Sequence, residues 1–497
     1  MEKEVITKMV ADVVVIGSGG GLSAAVTAAE EGAKVILIEK TGMLGGYTRQ
    51  ANGLMAVESP VQKSQNININ KDEVFRQFMR WSHCRRVNPR VVRAFFNQTG
   101  ETIEWLETKG VRFEIMQTGA GLPVVHLPVG MGAAVQKALI KAAHGLGITT
   151  LLNTRAYKIK ISDSGEVTKV LANQEDTEIT IDTKSVIIAT GGFGDNRDLL
   201  KKYCRDYYDG MPVDHWPNHT AHSGDGLLMA EDIGAAIAES IPNYHMGPYY
   251  HPFLYPWQSL AAMAMNPSTI WVNKRGKRFI DEGGSFGMGV AGNAILMQPD
   301  HIMFTLFDDS IRQLVEEGKT GTMIDGRQKH AKKGGGTMVV DGKFPGLKEE
   351  LGKEARKTDG VMISNSWDEI AEWIGAEPDI LKTEIEEYNY FCETGYDALF
   401  TKDKVYLRPL KNPPFYAMKC STRVGETLGG IIVNEKMEII NKEGKIIPGA
   451  YAAGVIANGF EPEDYNREIA GCAMGFAVNS GRIAGRNAAR FVLSKKA

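Results

Sequence analysis

Residues 12–40 read DVVVIGSGGGLSAAVTAAEEGAKVILIEK, and the fold class follows from this stretch. The run DVVVI at 12–16 is short, continuous and rich in β-branched residues, which is typical of a strand buried on both faces of a parallel sheet. A glycine-rich turn, GSGGG, occupies 17–21, and LSAAVTAAEEGA after it predicts a helix of small residues. The run KVILIEK then predicts a second strand, so the stretch reads as a strand–turn–helix–strand unit.

This unit predicts a dinucleotide site. Glycines allow backbone N–H groups to reach a pyrophosphate at the helix N-terminus, where the helix dipole favours negative charge. Glu39 lies 22 positions after Gly17, near the spacing of a carboxylate that accepts hydrogen bonds from ribose hydroxyls. The third glycine is Gly21, one position earlier than in GxGxxG, so we expect a slightly different turn. The predicted cofactor ligands in this unit are Gly17, Ser18, Gly19, Gly20, Gly21, Glu39 and Lys40.

The composition excludes several classes of protein. The 497 residues carry 57 basic and 60 acidic side chains, and a net charge of −3 gives no reason to expect nucleic acid or an anionic membrane as a partner. Five scattered cysteines without a CxxC pair indicate neither a disulfide framework nor a zinc, haem or iron–sulfur site, so no metal is expected. We find no apolar run of about 18 residues and no signal-peptide pattern, and we therefore expect a cytoplasmic protein.

Further glycine-rich stretches follow along the chain. The sequence KTGMLGGYTRQANG occupies 40–53, and TKSVIIATGGFG at 183–194 repeats the order of a strand and then glycines. The later markers are SGDG at 223–226, NKRGKRFIDE at 273–282, GETLGGIIV at 425–433, YAAG at 451–454 and SGRIAG at 480–485. In this order, the markers resemble the flavoprotein superfamily of soluble fumarate reductases and succinate dehydrogenase flavoprotein subunits. That superfamily also holds 3-ketosteroid dehydrogenases and other flavin ene-reductases.

The resemblance covers nearly the whole chain and implies one FAD rather than NAD, because a second glycine turn passes under the pyrophosphate and flavin in this superfamily. In succinate dehydrogenase a histidine near that turn carries a covalent flavin link. Residues 41–55 contain no histidine, so we expect non-covalent FAD. The further FAD ligands that the resemblance implies are Gly45, Gly46, Thr48, Asn52, Gly53, Ala156, Thr190, Gly191, Asp225, Gly454, Gly475 and Phe476.

The resemblance also implies the fold class and the domains. We expect an α/β protein in which a Rossmann-like FAD-binding domain is split in the sequence, with an inserted α+β capping domain. The predicted FAD-binding parts are 1–245 and 413–497, and the cap is 246–412, because proline-rich stretches mark both junctions. Within the cap, residues 367–395 predict helices broken at Pro378, and the basic stretch 326–336 predicts a solvated loop.

The sequence departs from the fumarate reductases at their substrate-binding positions. In that family an arginine soon after the GKRFxxE stretch donates the proton, and here Phe286 stands near that position, with no arginine from 279 to 311. A family histidine that binds carboxylate would fall at Gly425 or Glu426, and a glutamate there would repel an anionic substrate. The pattern therefore disfavours fumarate.

Other side chains could take over the catalytic work. Arg467 matches an arginine that touches substrate in fumarate reductases, and Tyr465 falls near a tyrosine that ketosteroid dehydrogenases place beside substrate. His251 matches a His-Pro stretch of the substrate pocket, and the aromatic cluster 243–257, with Tyr250, could form its wall. Tyr465 could equally be a packed aromatic residue, and Arg467 could form a salt bridge with a neighbouring acid.

Two classes of function remain open at this stage. The leading hypothesis is an FAD-dependent ene-reductase or dehydrogenase that transfers hydride between flavin N5 and an uncharged, aromatic or polycyclic unsaturated carbonyl or polyphenol, such as an isoflavonoid. A 3-ketosteroid dehydrogenase is the alternative enzyme, and a flavin subunit that relays electrons within a complex is the alternative of another class. The electron donor is undetermined: NAD(P)H, free reduced flavin, a partner protein or a second substrate would each serve.

Overall fold

The computed structural model describes residues 5–116, 122–213, 222–250, 258–283, 288–320, 343–465 and 469–496. Strands β1 to β18 span, in chain order, Val5–Val10, Val13–Ile16, Val35–Ile38, Leu54–Met55, Phe113–Ile115, Val125–Pro128, Thr149–Leu151, Thr154–Ile161, Val167–Gln174, Thr177–Asp182, Ser185–Ile188, Asn243–Tyr249, Ile270–Val272, Ile302–Asp308, Val361–Ser364, Phe415–Thr427, Glu438–Ile440 and Ile446–Ala452. Helices α1 to α14 of the described residues span Gly21–Glu30, Pro60–Ser64, Lys71–Trp81, Pro89–Glu107, Met131–Gly145, Arg197–Tyr203, Asp225–Asp232, Ser259–Ala264, Met288–Leu296, Asp309–Glu316, Leu347–Lys357, Trp367–Ile374, Pro378–Thr394 and Cys472–Ser494. The predicted α/β fold class is confirmed.

The strand–turn–helix–strand unit forms the centre of a six-stranded sheet. Its strand order is β17-β18-β11-β2-β3-β7, and β2 pairs in parallel with both β11 and β3. All four residues of β2, β3 and β11 are buried, which agrees with their continuous apolar runs. Because neighbouring parallel strands end at the same edge, the turns after β2 and β11 lie side by side.

The chain divides into two compact units. The first comprises Met1–Asp209, His215–Tyr244 and Glu426–Ala497. Besides the six-stranded sheet, it contains a four-stranded sheet, β1-β10-β9-β8, and a three-stranded sheet, β4-β6-β5. Helices α1 and α14 cross closely at glycines, since a Cβ at Gly485 would lie 2.3 Å from the carbonyl oxygen of Ala24.

The second unit comprises Gly210–Asp214 and His245–Gly425 and has its own hydrophobic core. Its central strands β14 and β16 are antiparallel, and Phe307 stacks on Tyr416 with ring centroids 4.9 Å apart. The predicted helix break is confirmed, because α12 ends at Ile374 and α13 begins with Pro378 at a position where the missing N–H costs nothing.

Two sequence expectations concern surface and membrane features. The basic stretch 326–336 lies outside the described residues. Within the part of the chain that the structure describes, no helix has the length and apolar composition needed to cross a bilayer.

Candidate cofactor and active site

The glycines of the turn after β2 are required by close backbone packing. Gly17 has a φ of 89°, and a Cβ there would lie 2.4 Å from the carbonyl oxygen of Ala189. A Cβ at Gly20 would lie 2.7 Å from the carbonyl oxygen of Ala477. A side chain at either position would push the turn away from the sheet edge, so the close approach that a phosphate site needs depends on glycine.

The N-terminus of α1 offers donors to an anion. Its capping residue, Gly20, makes no side-chain hydrogen bond to the first turn, so the first N–H groups of the helix have no side-chain acceptor. Nearby, Gln136 Nε2 donates to the carbonyl oxygen of Gly19 over 3.4 Å, while its buried Oε1 has no hydrogen-bond partner. The buried hydroxyl of Thr190, in the turn after β11, is also without a partner. Uncapped N–H groups and orphaned polar atoms around this turn fit the pyrophosphate of FAD.

Glu39 is anchored at the end of β3 by four donors. Ser18 donates from its backbone N at 3.2 Å and from its hydroxyl at 2.6 Å to one carboxylate oxygen. Thr41 donates from its backbone N and its hydroxyl to the other oxygen, both at 3.0 Å. These contacts fix the carboxylate beside the glycine turn, and a ribose diol could replace the two side-chain hydroxyls as donors.

The second glycine turn lies against the first. Gly45 has a φ of 108° and donates its N–H to the hydroxyl of Ser18 at 2.8 Å. Thr48 is buried, and its hydroxyl would lie 3.3 Å from a Cβ at Gly19. Gly46 caps the 3₁₀ turn Tyr47–Gln50. Asn52 is exposed, and Gly53 packs against the backbone of β6.

Charged side chains surround Asp225 at the start of α7. Arg155 binds both of its carboxylate oxygens, at 3.1 and 2.7 Å, and Lys40 Nζ lies 3.2 Å from Oδ2 and 2.7 Å from the hydroxyl of Ser223. Burial opposes ionisation of Asp225, but Arg155 and Lys40 outweigh it and hold the pKa of Asp225 below its ordinary value. Ala156, beside Arg155 on β8, is buried.

The remaining predicted FAD ligands fall into two environments. Gly454 has a φ of 77°, and its N–H donates to Ser480, with no atom within 4 Å of an added Cβ. In contrast, Phe476 is buried and stacks on Phe460, with centroids 4.2 Å apart. A Cβ at Gly475 would lie 3.2 Å from the carbonyl oxygen of Met55. Gly454 therefore faces open space, whereas Gly475 and Phe476 pack within the first unit.

A histidine–glutamate pair lies beside the turn after β11. His222 Nδ1 is 3.5 Å from Glu426 Oε1, and the His222 ring lies 4.4 Å from the ring of Tyr47. A Cβ at Gly191 would lie 3.2 Å from His222 Nε2. Burial disfavours the charged imidazolium, but the carboxylate of Glu426 outweighs it and raises the pKa of His222 above its ordinary value.

Gln136, Tyr47 and His222 belong to this site and are not among the residues predicted from the sequence. Tyr47 lies inside the second glycine turn, and His222 immediately precedes the SGDG marker, so proximity to a motif was an available signal for both. Gln136 is on α5, far from any glycine motif, and no sequence signal indicates it.

The predicted catalytic residues are only partly described. His251, Phe286 and Arg467 lie outside the described residues. Tyr465 is partly buried and stacks on Tyr244, with centroids 4.7 Å apart and planes inclined by 30°. Tyr250 is buried in the core of the second unit, where its hydroxyl would lie 2.7 Å from a Cβ at Gly360.

Comparison with known proteins places this geometry in context. A family model described as FAD binding domain matches residues 12–464. A vinyl phenol reductase of Lactiplantibacillus plantarum is 31% identical over 496 residues, covering 97% of this chain and 96% of the relative. An NADH:fumarate oxidoreductase of Klebsiella pneumoniae is 29% identical, covering 96% of this chain and 48% of the relative.

Among solved structures, a 3-ketosteroid-Δ4-(5α)-dehydrogenase from Rhodococcus jostii RHA1, in complex with 4-androstene-3,17-dione, has the same fold. The TM-score is 0.72 at 22% sequence identity, and the match covers 97% of each chain.

Proposed function

The chain belongs to the FAD-binding family whose model matches residues 12–464, and on that premise we propose that it reduces the C=C bond of an uncharged, hydroxylated aromatic alkene of the vinyl phenol type. It is an FAD-dependent oxidoreductase acting on CH–CH groups. The finer assignment is supported by the similarity to vinyl phenol reductase, which extends over 97% of this chain and 96% of that relative.

The observation that carries the proposal is the carboxylate of Glu426. It lies against the turn after β11, since a Cβ at Gly192 would be 2.2 Å from its Oε1. A dicarboxylate near this position would face a like charge, whereas a neutral alkene would not. The resemblance places a carboxylate-binding histidine here in fumarate reductases, so the replacement favours an uncharged substrate.

Each part of the site has a role in this proposal. Bound FAD, held non-covalently, would supply the hydride. The N-terminus of α1 and the glycine turn would bind its pyrophosphate, and Glu39 its ribose. Tyr465, held by its stacking on Tyr244, would give a proton to the substrate carbon next to the one that receives hydride. Arg467 would stabilise negative charge that builds on the substrate, and His251 is the reserve proton donor.

The test is anaerobic reoxidation of the dithionite-reduced enzyme. We expect 4-vinylphenol to restore the oxidised flavin spectrum rapidly and to yield 4-ethylphenol, while fumarate does not. An isoflavone and a steroid enone in the same panel distinguish the polycyclic alternatives. Rapid reoxidation by fumarate, or none by 4-vinylphenol, would overturn the proposal.

The donor and the flavin linkage need separate measurements. NADH, NADPH and free reduced flavin can be compared by the rate at which each reduces the oxidised enzyme; inactivity of all three would favour a partner protein or a second substrate as the donor. Acid precipitation should release the flavin into the supernatant, and yellow colour retained by the pellet would contradict non-covalent binding.

A further inference from the structure

The two oxygens of the Glu426 carboxylate have different surroundings. Oε1 accepts from the backbone N of Thr427 at 3.0 Å and lies 3.5 Å from His222 Nδ1. Among the described residues, Oε2 has no hydrogen-bond partner. The Glu426 side chain is 17% exposed, so it is mostly but not fully withdrawn from water. Because each carboxylate oxygen has two lone pairs, Oε2 keeps its capacity to accept.

The backbone and His222 hold this carboxylate in a fixed orientation. A Cβ at Gly192 would lie 2.2 Å from Oε1 and 2.3 Å from the hydroxyl of Thr427, so only glycine leaves room for the side chain. The hydroxyl of Thr427 in turn accepts from the backbone N of Phe193 at 3.1 Å. His222 is restrained as well, because its backbone N donates to Asp195 at 2.8 Å. An acceptor held in this way loses little entropy on binding a donor.

The pair also lies at the edge of the sheet where a cofactor would bind. Gly191 and Gly192 follow β11, and the glycine turn at 17–21 follows β2, its parallel neighbour. Both turns therefore lie at the carboxyl ends of adjacent strands, the edge at which ligands bind in sheets of this kind.

We propose that Glu426 is a specificity-determining residue whose free oxygen accepts the hydroxyl hydrogen of a phenolic substrate, with His222 as its positioning residue. The inference rests on the proposed function and names the group of the substrate that is recognised. A neutral O–H donor gains a charge-assisted hydrogen bond, whereas a carboxylate is repelled and a methyl group leaves the acceptor unpaired. Hydroxylated alkenes are therefore preferred to alkenes of the same size that lack a donor.

The test compares two saturated ligands, the product of the proposed reaction and an analogue in which a methyl group replaces the hydroxyl. The dissociation constants of 4-ethylphenol and 4-ethyltoluene are measured by calorimetry on the FAD-loaded enzyme. We expect the wild type to bind 4-ethylphenol about 10- to 100-fold more tightly. The variant Glu426→Gln should reduce that ratio about 10-fold by weakening the binding of 4-ethylphenol alone. His222→Asn should lower the ratio less, because it disturbs only the support of the carboxylate.

Glu435→Gln is the matched control. It removes the same charge from an exposed side chain, 40% accessible and 3.7 Å from Arg90, and should leave both constants unchanged. Equal binding of the two ligands by the wild type, or a parallel loss of both in Glu426→Gln, would overturn the inference. A wild-type ratio near one would overturn the inference even where a variant fails to retain FAD.

Kinetics separate this inference from the function on which it rests. Selective binding of 4-ethylphenol without reduction of 4-vinylphenol would overturn the proposed function and leave the hydroxyl site standing. Reduction of 4-vinylphenol and 4-methylstyrene with equal kcat/KM would keep the function and remove the hydroxyl site.

Discussion

At the residue scale, Glu39 joins the two parts of the predicted nucleotide site. Its carboxylate accepts from Ser18 and Thr41, so it orders the glycine turn, and in the proposed function it also binds the ribose. We expect Glu39→Ala to lower the FAD content of the purified protein strongly, because a charged hydrogen bond contributes about 1.5–3 kcal/mol. Absorbance at the flavin maximum per mole of protein measures this.

Asp12→Ala is the matched control for Glu39. Asp12 accepts from the backbone N of Lys34 at 2.8 Å, just before the amino end of β2 and away from the glycine turn. That variant should retain FAD, and equal FAD content in Glu39→Ala and wild type would remove the ribose role.

Tyr465 is the residue on which the proposed proton transfer depends. The variant Tyr465→Phe keeps the ring that stacks on Tyr244 and removes only the hydroxyl. We expect the rate of substrate-dependent reoxidation to fall about 100-fold, the size of a lost acid–base group, with FAD still bound. Tyr244→Phe, which removes a hydroxyl from the other ring of the stack, should change the rate far less. If Tyr465→Phe is reoxidised by substrate at the wild-type rate, Tyr465 only packs against Tyr244 and does not donate the proton.

We expect His126 to make the stability of the fold depend on pH. It is buried on β6, where its Nε2 lies 2.6 Å from the hydroxyl of Ser59 and its Nδ1 lies 3.1 Å from the carbonyl oxygen of Val124. Burial lowers the pKa of His126 to about 4 from 6.5, although the Val124 contact opposes this. In the unfolded chain, the imidazole of His126 is therefore protonated below about pH 6.5. In the folded chain it is protonated only below about pH 4.

The resulting loss of stability is measurable. The free energy of unfolding should decrease by about 3 kcal/mol as the pH drops from 6.5 to 4. Urea unfolding at both pH values, at a fixed excess of FAD, compares the wild type with His126→Gln. The variant should lack the part of the pH dependence that His126 causes. An unchanged pH dependence in the variant would show that other groups cause it.

At the scale of elements, the SGRIAG marker has a packing role. Its two glycines lie on α14 where that helix crosses α1, and a Cβ at Gly481 would lie 2.2 Å from the hydroxyl of Ser23. A Cβ at Gly485 would meet backbone, the carbonyl oxygen of Ala24 at 2.3 Å, which cannot move without shifting α1. Because α1 carries the glycine turn at its N-terminus, the helix crossing also positions the predicted nucleotide site.

This crossing gives a prediction about overpacking. We expect Gly485→Ala to destabilise the protein by about 1–3 kcal/mol and to weaken FAD retention. Gly145→Ala, at the end of α5, is the control, because nothing lies within 4 Å of the added Cβ. Thermal unfolding and flavin content report both effects. Equal unfolding temperatures of the two variants would contradict a close crossing.

At the scale of the whole molecule, each unit has its own core, and the second encloses a cluster of charges. Arg278 binds Glu282 at 2.8 Å and Asp397 at 2.9 Å, and Lys402 lies 3.2 Å from Glu282. All four side chains are 0 or 1% exposed. Burial lowers the pKa of Lys402. Arg278 is the cation of the cluster that stays protonated, because a guanidinium is not deprotonated in proteins.

Removal of this cation should destabilise the second unit. Arg278→Met leaves two buried carboxylates without their guanidinium, and we expect a loss of about 3–5 kcal/mol in urea unfolding. Arg85→Met is the control, since Arg85 pairs with Glu463 on the surface with 66% of its side chain exposed, and it should cost at most about 1 kcal/mol. Similar losses in both variants would mean that the buried cluster contributes no more than a surface pair.

The sequence alone determined the features that depend on neighbouring residues. Local sequence patterns predict a strand at the apolar run 12–16, a turn at the glycines after it and a helix after the turn. The structure has all three. Pro378 begins α13 for a similarly local reason, because its missing N–H costs nothing at the first position of a helix. The glycine turn at a helix N-terminus predicts a dinucleotide site. The choice of FAD as the cofactor came from the family resemblance that the later glycine-rich markers carry.

Only the tertiary structure decided which distant residues meet. Gln136 contacts Gly19 across 117 positions, and Ser59 contacts His126 across 67. His222 likewise pairs with Glu426, and the two side chains lie against Gly191 and Gly192, the glycines that follow β11. Strand order and helix crossings set such contacts, and a single sequence carries no periodic signal for them. The physical reason is that side-chain chemistry is local along the chain, whereas a site is assembled by packing in space.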